Sequence, residues 1–199
     1  MPYNPNGDTC LSIWASCYGS GWTLDFPRHA RVLEVGCAEA DWQTPMLDIR
    51  PDLQITGIDW RACTRPGTTI QGDVLTQDFP DASFDAVVGI SSIEHIGLGH
   101  YEADPKDLDG DIRCMERIAR WLAPGGWVYL DVPWNARGYL VDGTSHRVYD
   151  GAALRSRLIG SRFTEVRRWY ADRSGTPTAE LEPRALPGYD YVALMLRSV

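Results

Sequence analysis

The residues with the clearest chemical potential fall in two short segments. In VLEVGCAEADW, Glu34 nears the end of an apolar strand, and a tight Gly36-Cys37-Ala38 turn follows before a polar, helix-opening stretch. In ITGIDW, Asp59 ends the next strand, 23 residues beyond Gly36. A strand that brings the backbone to a sheet edge, small residues that pass close to a ligand and a helix N-terminus just beyond make a nucleotide cradle. A carboxylate ending the following strand can accept hydrogen bonds from both hydroxyls of a ribose. The spacing Gly36-x-Ala38-x-Ala40 is not the GxGxxG of dinucleotide dehydrogenases, which turns the reading away from hydride transfer.

The elements that must hold these groups follow from hydrophobic periodicity. Arg31–Val35, Gln54–Asp59, Thr68–Gln71, Phe84–Ile90 and Trp127–Val132 read as strands. FDAVVGI is the near-continuous apolar run of a strand buried on both faces. Helices are expected at 41–49, where Pro45 is confined to the first turn, at 109–122, and at 151–159. Ile112, Met115, Ile118, Ala119 and Leu122 take core spacing on the second of these, and Ala123-Pro124-Gly125-Gly126 stops it. Phe163–Tyr170 and Asp190–Arg197 form a final strand pair around a Pro-rich loop at 172–188. Strands alternating with helices predict an α/β fold: a doubly wound, mostly parallel, seven-stranded Rossmann-like sheet with an antiparallel edge strand.

The 199 residues suffice for one domain with a full core. We read residues 1–29 as an N-terminal extension, with a short helix at Thr9–Cys17 and stacking surfaces on Trp14, Tyr18 and Trp22. Residues 30–199 make the domain itself. No apolar run approaches the roughly 20 residues that span a membrane, and MPYNPNGDTC lacks the layout of a secretory signal. Five scattered cysteines without a CxxC pair indicate neither a zinc ribbon nor a disulfide framework, so a reducing, cytoplasmic setting is expected. The net charge of −8 and the dispersed arginines argue against nucleic acid. Arg162, Arg167 and Arg168 read as a solvated strand face.

Four pieces now line up in order: VLEVGCAEA, ITGIDW, IQGDVLTQDFPDASFDAVVGISSIEHIG and LAPGGWVYLDVPW. Together, from about Arg31 to the C-terminus, they resemble the class I S-adenosylmethionine-dependent methyltransferases. The segment SSIEHIGLGHY…DLDGDI…LAPGG…SHRVYD resembles one branch of that superfamily more closely. The resemblance implies S-adenosylmethionine as cofactor and S-adenosylhomocysteine as product. It places Glu34, Gly36, Cys37 and Ala38 under the methionine part, with the Glu34 acid facing the ammonium group. Asp59 would bind the ribose hydroxyls, with Trp60 beside the adenine. Gly72, Asp73 and Val74 would meet the adenine edge, and Ser91 would lie where cofactor and acceptor meet. The chain departs from the family turn at Ala38 and Ala40, where glycine is usual, because alanine resists positive φ.

Methyl transfer to a hydroxyl requires alignment and removal of a proton. His95, just after the fourth strand, and His146, after the fifth, are the expected catalytic residues, since imidazole titrates near neutrality. Glu94 reads as a packing acid, and His100, Tyr101 and Asp104–Asp111 as a polar loop over the same edge. The spacing of His95, His100 and His146 matches no standard zinc pattern, so no metal is expected. GISSIEHIG lacks the Asn/Asp-Pro-Pro-aromatic grip of nucleic-acid amino methylation. The expected activity is therefore methyl transfer to a small-molecule or glycan-type acceptor, at oxygen. A non-catalytic S-adenosylmethionine-binding or partner module and an aminopropyltransferase remain as alternatives. The short connection between the second and third strands leaves one sheet face less covered and suits a homodimer.

Overall fold

Apolar runs bounded by turn residues become strands where the sequence sets them: β1 (Arg31–Val35), β2 (Gln54–Asp59), β3 (Thr68–Gln71) and β4 (Phe84–Ile90). The structure, a computed structural model, describes residues 26–100, 106–172, 174, 176–178 and 189–199. The expected extension before residue 26, with its Thr9–Cys17 helix, lies outside the described residues. So do Tyr101, Asp104 and most of the Pro-rich loop. Residues 26–29 pack on the domain. Phe26 is buried and meets the Tyr129 ring edge-on at 5.3 Å, and Arg50 donates to the carbonyls of Phe26 and Pro27.

The chain continues through β5 (Leu122–Trp134), β6 (Leu140–Asp142), β7 (His146–Val148), β8 (Phe163–Ala171), β9 (Pro177–Thr178) and β10 (Asp190–Ser198). The main sheet runs β3-β2-β1-β4-β5-β10-β8-β9, and β6 and β7 pair as a separate hairpin. β1 to β5 are parallel, whereas β10 is antiparallel to both β5 and β8. The seven expected strands are present, with two-residue β9 added at the edge. The long antiparallel strand is not at the edge but one place inside β8. Its run from Asp190 to Leu196 is buried throughout, which calls for neighbours and cover on every side. β8 carries the exposed Thr164-Glu165-Val166-Arg167 stretch. Arg168 pairs with Glu165 there, and Arg162 reaches Glu116, so these arginines form a solvated face.

Helix α1 (Gln43–Ile49) starts two residues late because Asp41 stays outside it and accepts from the Thr44 N–H. α2 (Gly110–Trp121) buries Cys114, Met115, Ile118 and Trp121. It ends at the Pro-Gly-Gly segment, which is itself drawn into β5: Gly125 takes φ +71° and the register with β4 shifts there. α3 (Gly151–Ala153) is capped by the Asp150 carboxylate and continues as a π-helical turn, Leu154–Ile159. Alternate residues of the strands feed opposite layers. Leu33, Val35 and Val87 pack with α2 and α3, whereas Val32, Ala86 and Val88 pack with α1 and Phe26. Among the described residues no helix is long and apolar enough to cross a membrane.

Candidate active site

Strand order changes direction between β1 and β4, and open α/β sheets bind ligands beyond the carboxyl ends of their strands at such a point. A cleft of about 850 Å³, counted to its open mouth, lies there. Gly36, Asp59, Trp60, Gly72, Asp73, Val74, Ser91 and His95 of the expected residues all line it. Ala40 of the turn lines it too, and so do Glu39, Arg61, Ser92 and Ile96, which were not singled out by the sequence. Glu34, Cys37, Ala38 and His146 are not on its wall.

Gly36 is the pivot of the cradle. Its φ is +84°, and a Cβ there would stand 2.4 Å from Cβ of Ser92, so the turns after β1 and β4 touch only because no side chain intervenes. Its N–H donates to the Ile58 carbonyl at 2.8 Å. Among the described residues, the non-glycines with positive φ are His29, Ala82 and Ser91. Ala38 and Ala40 are thus not asked for a left-handed backbone, and the turn accommodates both methyl groups. Beneath it, Glu34 is 1% exposed. Its Oε2 accepts from Gln43 Nε2 at 2.7 Å, and its Oε1 has no hydrogen-bond partner. Burial pushes this carboxyl up to about 7, against the Gln43 hydrogen bond, which lowers it.

Asp59 sits at the C-terminal end of β2 with its carboxylate already engaged. The Ala38 N–H reaches Oδ2 at 2.9 Å, and the Arg61 N–H and Nε reach Oδ1 at 2.9 and 3.1 Å. Arg61 also donates to Glu39. Ala38 therefore works from behind the wall, orienting Asp59. Asp73 Oδ1 accepts from the Leu75 N–H, fixing the turn after β3. Asp59 ends β2 and Asp73 follows β3, where the sheet stops and both residues line the cleft.

Across the cleft, Ser91 holds φ +42°, a strained conformation for a residue with a Cβ. Its N–H donates to Asp131 and its hydroxyl to Glu94 Oε1 at 2.6 Å. Glu94 is fully buried, and desolvation raises its pKa against the charge of His95. His95 follows in a single 3₁₀ turn, Ile93–His95. Its Nδ1 contacts the Ser145 carbonyl. A carbonyl only accepts, so Nδ1 carries the hydrogen of this contact, and the other ring nitrogen is Nε2. That nitrogen lies 3.7 Å from Glu94 Oε1. His100 stacks on His95 at 5.3 Å. His146 stands edge-on to His95 at 6.3 Å and to Tyr189 at 4.8 Å, with Nδ1 2.9 Å from the Ser145 hydroxyl. It touches His95 but does not line the cleft. No group of three or more His, Cys, Asp or Glu among the described residues is placed to hold a metal ion.

Behind His95 lies a buried strut whose acid, Asp111, the sequence reads as part of a polar loop. Asp111 and Arg147 are both 0% exposed, with Arg147 Nε 3.5 Å from Asp111 Oδ1. Arg157 and the Tyr149 hydroxyl also bond Asp111. Arg147 donates to the carbonyls of Glu94, Ile96, Asp107 and Leu108. The hairpin is thereby locked to the His95 turn and to the start of α2.

No curated protein matches the chain by sequence. Solved structures show the fold. The Burkholderia thailandensis 1,6-didemethyltoxoflavin-N1-methyltransferase, bound to 1,6-didemethyltoxoflavin and S-adenosylhomocysteine, matches with TM-score 0.65 at 16% identity, over 97% of this chain and 79% of that one. The N-methyltransferase NodS from Bradyrhizobium japonicum, in complex with S-adenosylhomocysteine, matches at 0.57 and 14%, over 95% and 85%. The [4+2]-cyclase SpnF matches at 0.58 and 17%, over 96% and 79%. The architecture is that of the class I S-adenosylmethionine-dependent methyltransferases. Residues 74–184, over half the chain, fit a family model covering the fourth strand, the His95 turn and the buried strut, and the chain belongs to that family, described as Caenorhabditis protein of unknown function, DUF268.

Proposed function

We propose that the domain at residues 30–199 is an S-adenosylmethionine-dependent methyltransferase that methylates a hydroxyl of a small-molecule or glycan-type acceptor. The observation that carries this reading is the convergence of Gly36, Asp59, Asp73 and Ser91 on one cleft at the sheet's switch point. The cofactor fits the residues present. Gly36 lets the turns after β1 and β4 close against each other at the cleft wall, Asp59 offers a carboxylate to ribose hydroxyls, and Glu34 keeps a buried oxygen without a hydrogen-bond partner beneath the turn. When bound, S-adenosylmethionine supplies an activated methyl group on its sulfonium. Asp73 and Val74 would hold the adenine edge, Trp60 its face, and Ser91 the boundary with the acceptor. His95 Nε2 would take the hydroxyl proton as the oxygen attacks, and Glu94 would balance the imidazolium.

Titration with S-adenosylhomocysteine tests the reading. We expect micromolar binding by calorimetry, and about 100-fold weaker binding by Asp59→Ala, which removes charge-assisted hydrogen bonds worth about 1.5–3 kcal/mol each. Equal affinity in the two proteins would remove Asp59 from the site.

A second reading, a binding or partner module with this fold, draws on Arg61, which occupies the carboxylate a ribose would need. The two readings separate on one variant. The Arg61–Asp59 pair is partly solvated, with Arg61 33% exposed, so displacing it costs about 1 kcal/mol. Arg61→Ala is therefore expected to bind S-adenosylhomocysteine about 5-fold more tightly. Absence of binding by both wild type and Arg61→Ala would put the module reading first.

A further inference from the structure

One reactive pair has no part in the proposed methyl transfer. Cys37 and Cys63, distant in sequence, bring their Sγ atoms to 3.2 Å, and both are free thiols. Cys37 is buried under the turn after β1, and Cys63 is half-buried just beyond Arg61. The third free cysteine among the described residues, Cys114, lies in the core under α2. The contact is built into the fold. Gly57 clears the space for Cys37, since a Cβ there would stand 2.7 Å from Cys37 Sγ. Arg65, two residues after Cys63, donates to the carbonyls of Cys37 and Ala38 at 2.9 Å. Thr69 holds the Cys63 carbonyl at 3.1 Å.

We propose that Cys37 and Cys63 form a dithiol site that reacts with small disulfides of the glutathione class and closes to an intramolecular disulfide. Cys63 is the sulfur an incoming disulfide can reach. Its attack forms a Cys63–glutathione bond and breaks the glutathione S–S bond, and the departing glutathione carries away the Cys63 proton. Cys37 then attacks the Cys63 sulfur, and the second glutathione leaves with the Cys37 proton. Two thiols lose two electrons, and one glutathione disulfide becomes two glutathiones. Burial, reinforced by the Cys63 hydrogen bond, holds the Cys37 thiol well above the usual thiol range, which leaves the first attack to Cys63. Closure brings the sulfurs to about 2.05 Å. It staples the turn that presents the Ala38 N–H to the segment that carries Arg61, fixing both sides of Asp59.

The test is to incubate the full-length protein with glutathione disulfide, quench with N-ethylmaleimide and map the peptides by mass spectrometry. The expected result is a Cys37–Cys63 crosslinked peptide, loss of maleimide labelling at both positions, and reversal by dithiothreitol. Cys63→Ser should abolish the crosslink, and Cys37→Ser should accumulate the Cys63–glutathione mixed disulfide. The proposal is overturned when wild-type Cys63 stays fully labelled, when wild type stops at the mixed disulfide, or when either cysteine pairs elsewhere. No cofactor enters this readout, so its outcome is independent of the methyltransferase reading.

Discussion

Replacing Arg147 by Met is expected to lower the unfolding free energy by about 3–5 kcal/mol, the range for breaking a buried ion pair from one side. Methionine fills much of the space of the arginine stem but supplies none of its donors. Arg157 and Tyr149 would still hold Asp111, yet the carbonyls of Glu94, Ile96, Asp107 and Leu108 would lose a donor together. The Leu108 and Asp107 carbonyls keep Arg157 and the Gly110 N–H, so the desolvation penalty falls on those of Glu94 and Ile96. Urea unfolding measures the loss. Arg155→Met is the control: Arg155 is exposed on the π-helical turn after α3, and its replacement should stay within about 0.5 kcal/mol of wild type. A loss below about 1 kcal/mol for Arg147→Met would show that the strut does not hold the hairpin. Because Arg147 also carries the two carbonyls that flank His95, the variant should loosen the very turn that aims the imidazole.

That strut also marks the limit of what the sequence reveals. The first four strands are legible to the residue: β1, β2 and β4 are largely apolar runs closed by Gly36, Asp59 and Ser91-Ser92, and the short β3 stops before Gly72-Asp73. The cradle is legible for the same reason: Gly36, Asp59 and Asp73 are defined by their position relative to strand ends. What stays hidden depends on partners distant in the chain. Asp111 and Arg147 carry charge, so local pattern assigns them to solvent, and only the fold pairs them in a dry interior. Arg61 and Cys63 follow a recognisable strand end but acquire meaning from Asp59, Glu39 and Cys37 opposite. The β6–β7 hairpin has strands of three residues, too short for any period to register. The π-helical turn after α3 is invisible because its burial of Leu154, Leu158 and Ile159 is equally that of an α-helix. His146 looks equivalent to His95 in sequence, yet the hairpin register sets it behind that residue rather than on the cleft wall.

Glu34→Gln should change how stability depends on pH, gaining about 3 kcal/mol on wild type between pH 4.5 and pH 8. The cause is the carboxyl buried beneath the turn, raised from 4.5 to about 7 chiefly by desolvation. For an acid raised in the folded state, the sign runs opposite to that of a salt-bridged carboxylate. The folded protein binds the proton more tightly than the unfolded chain does, so this group favours folding most below pH 4.5. That contribution declines as pH rises and is gone above about 7. Glutamine preserves the volume and an acceptor for Gln43 Nε2 but cannot ionise, so the variant escapes the decline. Glu94 is also raised by burial and contributes a slope of the same sign, but it is present in both proteins and cancels in their difference. Asp52 and Asp85 are lowered by their arginine partners and act on the acid side of this window. Urea unfolding of both proteins at several pH values provides the test. A difference that stays level within about 1 kcal/mol from pH 4.5 to 8 would mean that Glu34 ionises as freely in the fold as in water. A rising difference would establish that the chain holds a costly, half-ionised carboxyl under its tightest turn at neutral pH. Such a group gains whenever a positive charge comes near Oε1.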